Sequence, residues 1–132
     1  HEEFASISEI KMTTLATILQ IIIALGIVNV WLLRFGGSTE WRGGSAQNMT
    51  EEFSVYGLPA WFMRFIGFLK ISLAVLLIVG VWVPDITRYA AFGMVTLMIG
   101  AVAMHVKVGD PLRKSLPAIS MLTMSAVVAL IA

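Results

Sequence analysis

Apolar residues along this chain come in unbroken runs. Four runs cover about residues 13–33, 59–83, 86–106 and 115–132. Each is close to the ~20 residues an α-helix needs to cross a hydrocarbon core of ~30 Å. Barrel strands would alternate lipid-facing and lumen-facing positions, and none of the runs does. The pattern predicts an all-α, integral membrane, antiparallel four-helix bundle, a single domain over residues 1–132.

The polar stretches between the runs are uneven. Loop one, residues 34–58, opens with "GGSTEWRGGS" and continues with "NMTEEFSVYG". The second part predicts a short helix. Asn48 can cap it, Glu51 and Glu52 suit its positive first turn, and Gly57 can end it. Phe53, Val55 and Tyr56 are expected at the membrane interface. In loop two, "VPDIT", Pro84 stops one helix, and Asp85 or Thr87 starts the next. Loop three, "KVGDPLRKS", is also short. Two matches hint at internal repetition: Leu58-Pro59-Ala60 with Leu116-Pro117-Ala118, and Gly26-Ile27-Val28 with Gly100-Ala101-Val102. Like-oriented hairpins would be related by an axis along the membrane normal.

Composition narrows the function. The chain is 58% hydrophobic and only 13% charged, against about 25% charged in soluble domains. A net charge of +1, with no basic run longer than Arg113-Lys114, gives no case for a nucleic-acid partner. Cysteine is absent, which removes a disulfide relay, iron–sulfur clusters, c-type haem attachment and thiolate zinc sites. With His1 at the chain end, only His105 can act inside a fold, so one chain cannot supply a bis-histidine haem site. The methionines of the third and fourth runs (Met94, Met98, Met104, Met121, Met124) read as flexible packing rather than a soft-metal path. No intrinsic cofactor or metal is expected. No secretory leader is expected either, because the first apolar run exceeds a leader's apolar region.

Sorting basic residues by side places Lys11 and Arg88 with the termini and loop two. Arg34, Arg42, Arg64, Lys107, Arg113 and Lys114 fall with loops one and three. Two against six puts loops 34–58 and 107–114 in the cytoplasm and the termini outside, in what is expected to be a bacterial cytoplasmic membrane.

One residue breaks the pattern. Lys70 lies near the middle of the second run, roughly 16 Å below Pro59 at ~1.5 Å per residue. A charge at that depth costs about 2.5–3.5 kcal/mol on insertion scales. Gly67 and Ala74 share its face, which lets a neighbouring helix approach there. No acidic residue lies inside a run. Four outcomes are open to Lys70: a dipping Glu51 or Glu52; a neutral amine, which burial favours; hydrogen bonds to Asn29, Gln20 and backbone carbonyls; or a foreign anion, lipid or quinone head group, or a carboxylate of another subunit. Arg34, Arg64, His105, Lys107 and Asp110 gather at the loop-one end with Trp31, Trp41 and Trp61. They predict either an aromatic belt with interfacial basic residues or an electropositive vestibule leading toward Lys70. The candidate binding residues are therefore Lys70, Arg64, His105, Asp110, Arg34, Asn29 and Trp61.

Two segments, "YGLPAWFMRFIGFLKI" and "MIGAVAMHVKVGDPLRKSLPA", resemble the DoxX-like family of small four-helix membrane proteins, and the resemblance runs over about residues 13–132. The second segment is the more specific, with His105, Asp110-Pro111, Lys114 and Leu116-Pro117-Ala118 in order. Many relatives carry Glu where this chain has Lys70, so carboxylate chemistry does not transfer to that position. The family is named for a subunit linked to thiosulfate:quinone oxidoreduction; other branches are tied to redox homeostasis or to assembly of membrane proteins. The resemblance implies the fold and a redox-linked setting. The leading functional reading is a non-catalytic accessory or assembly subunit of a larger membrane complex, with other membrane subunits or further copies of itself as partners. The alternatives are a quinone-linked oxidoreductase component, with Lys70, Arg64 and His105 on the head group, and a small-solute or anion carrier working as an oligomer.

Overall fold

The computed structural model describes the backbone of residues 2–132 and side chains from residue 6 onward; His1 lies outside the described residues. The protein is all-helical, with α1 (Glu2–Val28), a π-helical turn (Asn29–Leu33), α2 (Met49–Val55), α3 (Ala60–Val79), a 3₁₀ turn (Pro84–Ile86), α4 (Thr87–Lys107) and α5 (Leu112–Ile131). Four stretches are long and apolar enough to cross a membrane: Ser6–Leu33, Ala60–Val79, Pro84–Lys107 and Leu112–Ile131. The chain is an integral membrane protein. α1 begins well before residue 13, because Glu2–Met12 continue the helix although they are too polar to extend the apolar run.

α4 packs along α5 and α1 along α3, and α1–α5 and α3–α4 contacts close the ring in the order α1, α3, α4, α5. The inward faces carry small and flexible residues: Ala24, Ala74, Ala90, Ala91, Ala129, Met94 and Met98 are all buried. Small residues let helices approach where lipid gives no hydrophobic driving force for association. Large apolar side chains such as Leu25, Phe68, Val75, Ile99 and Leu130 face outward, as a lipid-solvated surface allows. Trp82 and Tyr89 are exposed around loop two, where aromatic residues anchor a span.

The bundle end at loop two is sealed. Gln20, buried in α1, donates to the Leu77 carbonyl at 2.7 Å. The Thr87 hydroxyl donates to the Gly80 carbonyl at 3.1 Å. Carbonyls freed at the end of α3 thus find donors without water, as a dry environment demands. Ile23, Leu77, Met94 and Val128 are completely buried at this half.

The opposite end is built differently. Loop one folds back over the bundle as a lid around α2. The Asn48 side chain accepts from the Glu51 N–H at 2.8 Å. Gly57, at φ +78, lets the Leu58 N–H reach back to the Phe53 carbonyl at 2.9 Å, a Schellman closure that a Cβ would strain. Phe53 and Tyr56 do not rest on the membrane interface as expected; both belong to the lid and are buried, while Val55 stays exposed. The stacking of Phe53 on Trp31 and of Tyr56 on His105 accounts for this.

Candidate ligand-binding site

The geometry starts with a glycine. α4 ends in "HVKVGD", where Gly109 adopts φ +73 and the Asp110 N–H reaches back to the His105 carbonyl at 3.0 Å. This closure brings the Asp110 side chain onto His105, with Nδ1 and Oδ2 2.7 Å apart. An ionised carboxylate only accepts, so Nδ1 carries the proton. Asp110 also accepts from the Gly44 N–H of loop one at 3.0 Å, and Lys114 Nζ lies 4.0 Å from its other flank. Burial alone would raise the Asp110 carboxyl. The hydrogen bonds from His105 and Gly44, with the charge of Lys114 nearby, outweigh it and hold the group below the usual carboxylate range.

Lys107 donates to the Tyr56 carbonyl at 2.8 Å, and Lys114 to the Gly44 carbonyl. Charged groups of α4, α5 and the connection between them thus pin the lid. Within the lid, Arg42 is the hub. It is buried and donates through Nε to the Gly37 carbonyl at 2.8 Å, through Nη2 to the Arg34 and Phe35 carbonyls, and through Nη1 to Glu52 at 2.9 Å. Glu52 further accepts from the Gly43 N–H at 3.2 Å and the Tyr56 hydroxyl at 2.8 Å. Burial first, then the charge and hydrogen bond of Glu52, push the Tyr56 phenol far above its ordinary range, so it stays a donor.

Beneath the lid lies a cavity of about 800 Å³ bounded by all four spans, within the ~300–1,000 Å³ typical of ligand sites. Its walls are mostly apolar, from Ile27 and Phe62 to Met98 and Met121. Lys70 lines it, half-buried, with its ammonium over the Trp31 ring at 5.3 Å from the centroid.

Trp31 reaches that position through the π-helical turn. The Arg34 N–H bonds the Asn29 carbonyl at 2.9 Å, one residue wider than an α-turn. Of the five residues in the turn only Trp31 is buried. It fits because Gly67 has no side chain: a Cβ there would come within 2.7 Å of the indole. Trp31 then stacks on Phe35 and Phe53, Phe53 on Tyr56, and Tyr56 on His105, with centroids about 6 Å apart. Trp31 is therefore not one of the interfacial anchors. π-turns interrupt helices frequently at functional sites.

Of the residues singled out from the sequence, Lys70, Asn29, Arg34 and His105 line the cavity. Arg34 donates to Asn29 Oδ1 at 3.3 Å. Asp110 stands behind His105 as its hydrogen-bond partner. Arg64 and Trp61 are exposed and line no part of the cavity. Arg64 precedes Lys70 by six residues, about 120° around a helix, so α3 cannot turn both inward. Asn29, Gln20 and backbone carbonyls leave Lys70 alone; among the described residues its ammonium has an aromatic ring and no hydrogen bond. Glu52 does dip in with the lid and lines the same cavity, but its oxygens are taken by Arg42, Gly43 and Tyr56. Sequence reasoning passed over Arg42 and Lys114 as site-builders, and left Trp31 between belt and vestibule and Glu52 as one of several partners open to Lys70. Only Lys114 stood within a family-like motif.

The sequence model of the DoxX-like family matches residues 27–129, a range holding the π-turn, the lid, Lys70 and the His105–Asp110 pair. No curated protein and no solved structure matches the chain.

Proposed function

Since that match spans most of its length, the chain belongs to the DoxX-like family, and we propose that it is a non-catalytic, redox-linked accessory subunit of a larger membrane complex that holds one amphiphilic ligand, a quinone or a lipid, inside its bundle. The observation supporting this is the lidded apolar cavity with one cation on its wall. Its charged neighbours are committed to holding the lid rather than positioned around a reacting atom. A quinone-linked oxidoreductase component would use the same cavity. The carrier reading fares worse. Ile23, Leu77, Met94 and Val128 fill the half of the bundle below the cavity, so a carrier would need its path between copies of the chain. The basic residues of loops one and three place the lid on the cytoplasmic side of a bacterial membrane in this proposal.

The test is purification from native membranes in a mild detergent, followed by native mass spectrometry and extraction of bound apolar compounds. One quinone or lipid per chain, together with co-purifying membrane subunits, is the expected result. A chain that is alone and empty in every mild detergent overturns the proposal.

A further inference from the structure

We propose that the cavity selects ligands carrying a single negative charge, seated on Lys70 with the apolar tail leaving sideways into the bilayer. This deepens the proposed function and rests on its premise that the cavity holds a ligand.

The balance of charge at the cavity supports this. Its ionisable lining includes four cations, Lys70, Arg34, Arg42 and Lys114, against two carboxylates, Glu40 and Glu52. Arg42 is engaged by Glu52 and three carbonyls. Lys114 is engaged by Gly44 and Asp110. Glu40 is exposed at the rim. Arg34 is exposed at the mouth, where water solvates it, and its Nε donates to the neutral Asn29 Oδ1. Lys70 remains, with no ion pair or hydrogen bond among the described residues and the face of Trp31 beside it; the charge of Glu52 reaches it only from beyond contact, because the Glu52 oxygens are held by Arg42, Gly43 and Tyr56. A ring quadrupole offsets part of the cost of a desolvated ammonium, and an anion offsets far more.

Side chains on a helix lean toward its N-terminus, and the N-terminus of α3 is at the lid. The Lys70 ammonium therefore points up into the cavity rather than down into the sealed half. Asn29, Val30, Thr96, Gly100 and Pro117 line the cavity and are also exposed. The space thus reaches the outer surface of the bundle. A head group can sit between Lys70 and the lid while its chain lies among lipids. Quinones are neutral in both their oxidised and fully reduced forms, so they fit the walls of this cavity but leave its cation uncompensated. A fatty-acid-like carboxylate satisfies both.

The experiment uses the full chain in nanodiscs of neutral lipid. It compares palmitate, hexadecyl phosphate, hexadecanol and a short-chain ubiquinone by competitive native mass spectrometry, on wild type and on Lys70→Met. Wild type should bind palmitate about 30-fold or more tightly than hexadecanol, the loss expected when a buried charge loses its partner. Lys70→Met should bring the two to within a few-fold of each other. Hexadecyl phosphate carries between one and two negative charges at neutral pH; binding clearly tighter than palmitate overturns the single-charge rule, and binding no tighter than palmitate supports it. Hexadecanol or ubiquinone binding as well as palmitate to wild type overturns the inference while leaving the cavity a ligand site. No ligand binding at all overturns the proposed function with it. The wild-type comparison is decisive even where Lys70→Met fails to fold.

Discussion

Arg42→Met should release the lid without unfolding the bundle. Arg42 is 4% exposed, and its guanidinium serves Glu52 and the carbonyls of Arg34, Phe35 and Gly37. Methionine keeps much of the stem and none of the donors. Glu52, 13% exposed, would retain only the Gly43 N–H and the Tyr56 hydroxyl. Removing one partner of a buried pair costs about 3–5 kcal/mol, because the other charge is left without compensation. The lid has little to spare. α2 has seven residues, too few to be stable alone. Its other ties, Lys107–Tyr56, Lys114–Gly44 and Asp110–Gly44, are worth roughly 1.5–3 kcal/mol each as charge-assisted bonds. At ~1.4 kcal/mol per tenfold, amides of residues 43–57 should exchange with deuterium about 100-fold faster or more. Those of α3, α4 and α5 should be unchanged. Adding Glu52→Gln, which removes the stranded charge, should recover part of the protection. Unchanged exchange at 43–57 in Arg42→Met, or equal loss across the four spans, would refute the view of Arg42 as the local hub of a separable lid.

The same contacts set two further outcomes. The folded-state pKa of Asp110 is depressed, so its contribution to lid docking is fully present above the ordinary carboxylate pKa of about 4 and is lost as pH falls through the lower folded value. Proteolytic nicking in loop one should rise below about pH 4, and Asp110→Asn should remove that acid step while loosening the lid at neutral pH. On sidedness, Ser38→Cys in a cysteine-free chain should react with an impermeant maleimide only from the cytoplasmic face; labelling only from outside reverses the proposed orientation.

The spans and α2 were legible because each has a local cause: run length for the spans, and Asn48, Glu51 and Gly57 for α2. The His105–Asp110 closure has a local cause too, since Gly109 ends α4 and its left-handed backbone turns Asp110 back over the last helical turn, but the sequence reading goes only as far as placing both residues at the same end. The inward face of α1 was not legible. Lipid and bundle interior are both apolar, so hydropathy along "IVNVWLLRF" does not say which residue turns inside. The π-turn then adds a residue to the turn, and Trp31 leaves the belt for the core. Arg42 sat in a glycine-rich loop, where no periodicity indicates burial. Its role depends on Glu52, ten residues away along a chain that folds back on itself. Arg64 could have been set apart from Lys70 by angle alone, without any structure.

The two ends of the bundle differ in a way that reaches beyond the binding site. At loop two, Gln20 and Thr87 stitch the end of α3 to its neighbours and side chains fill the interior. At the lid, the helices surround open space roofed by a detachable loop. Added side-chain volume therefore meets a filled interior at the loop-two end and open space at the lid end. The same enlargement of a buried residue strains one half of the bundle and is accommodated in the other.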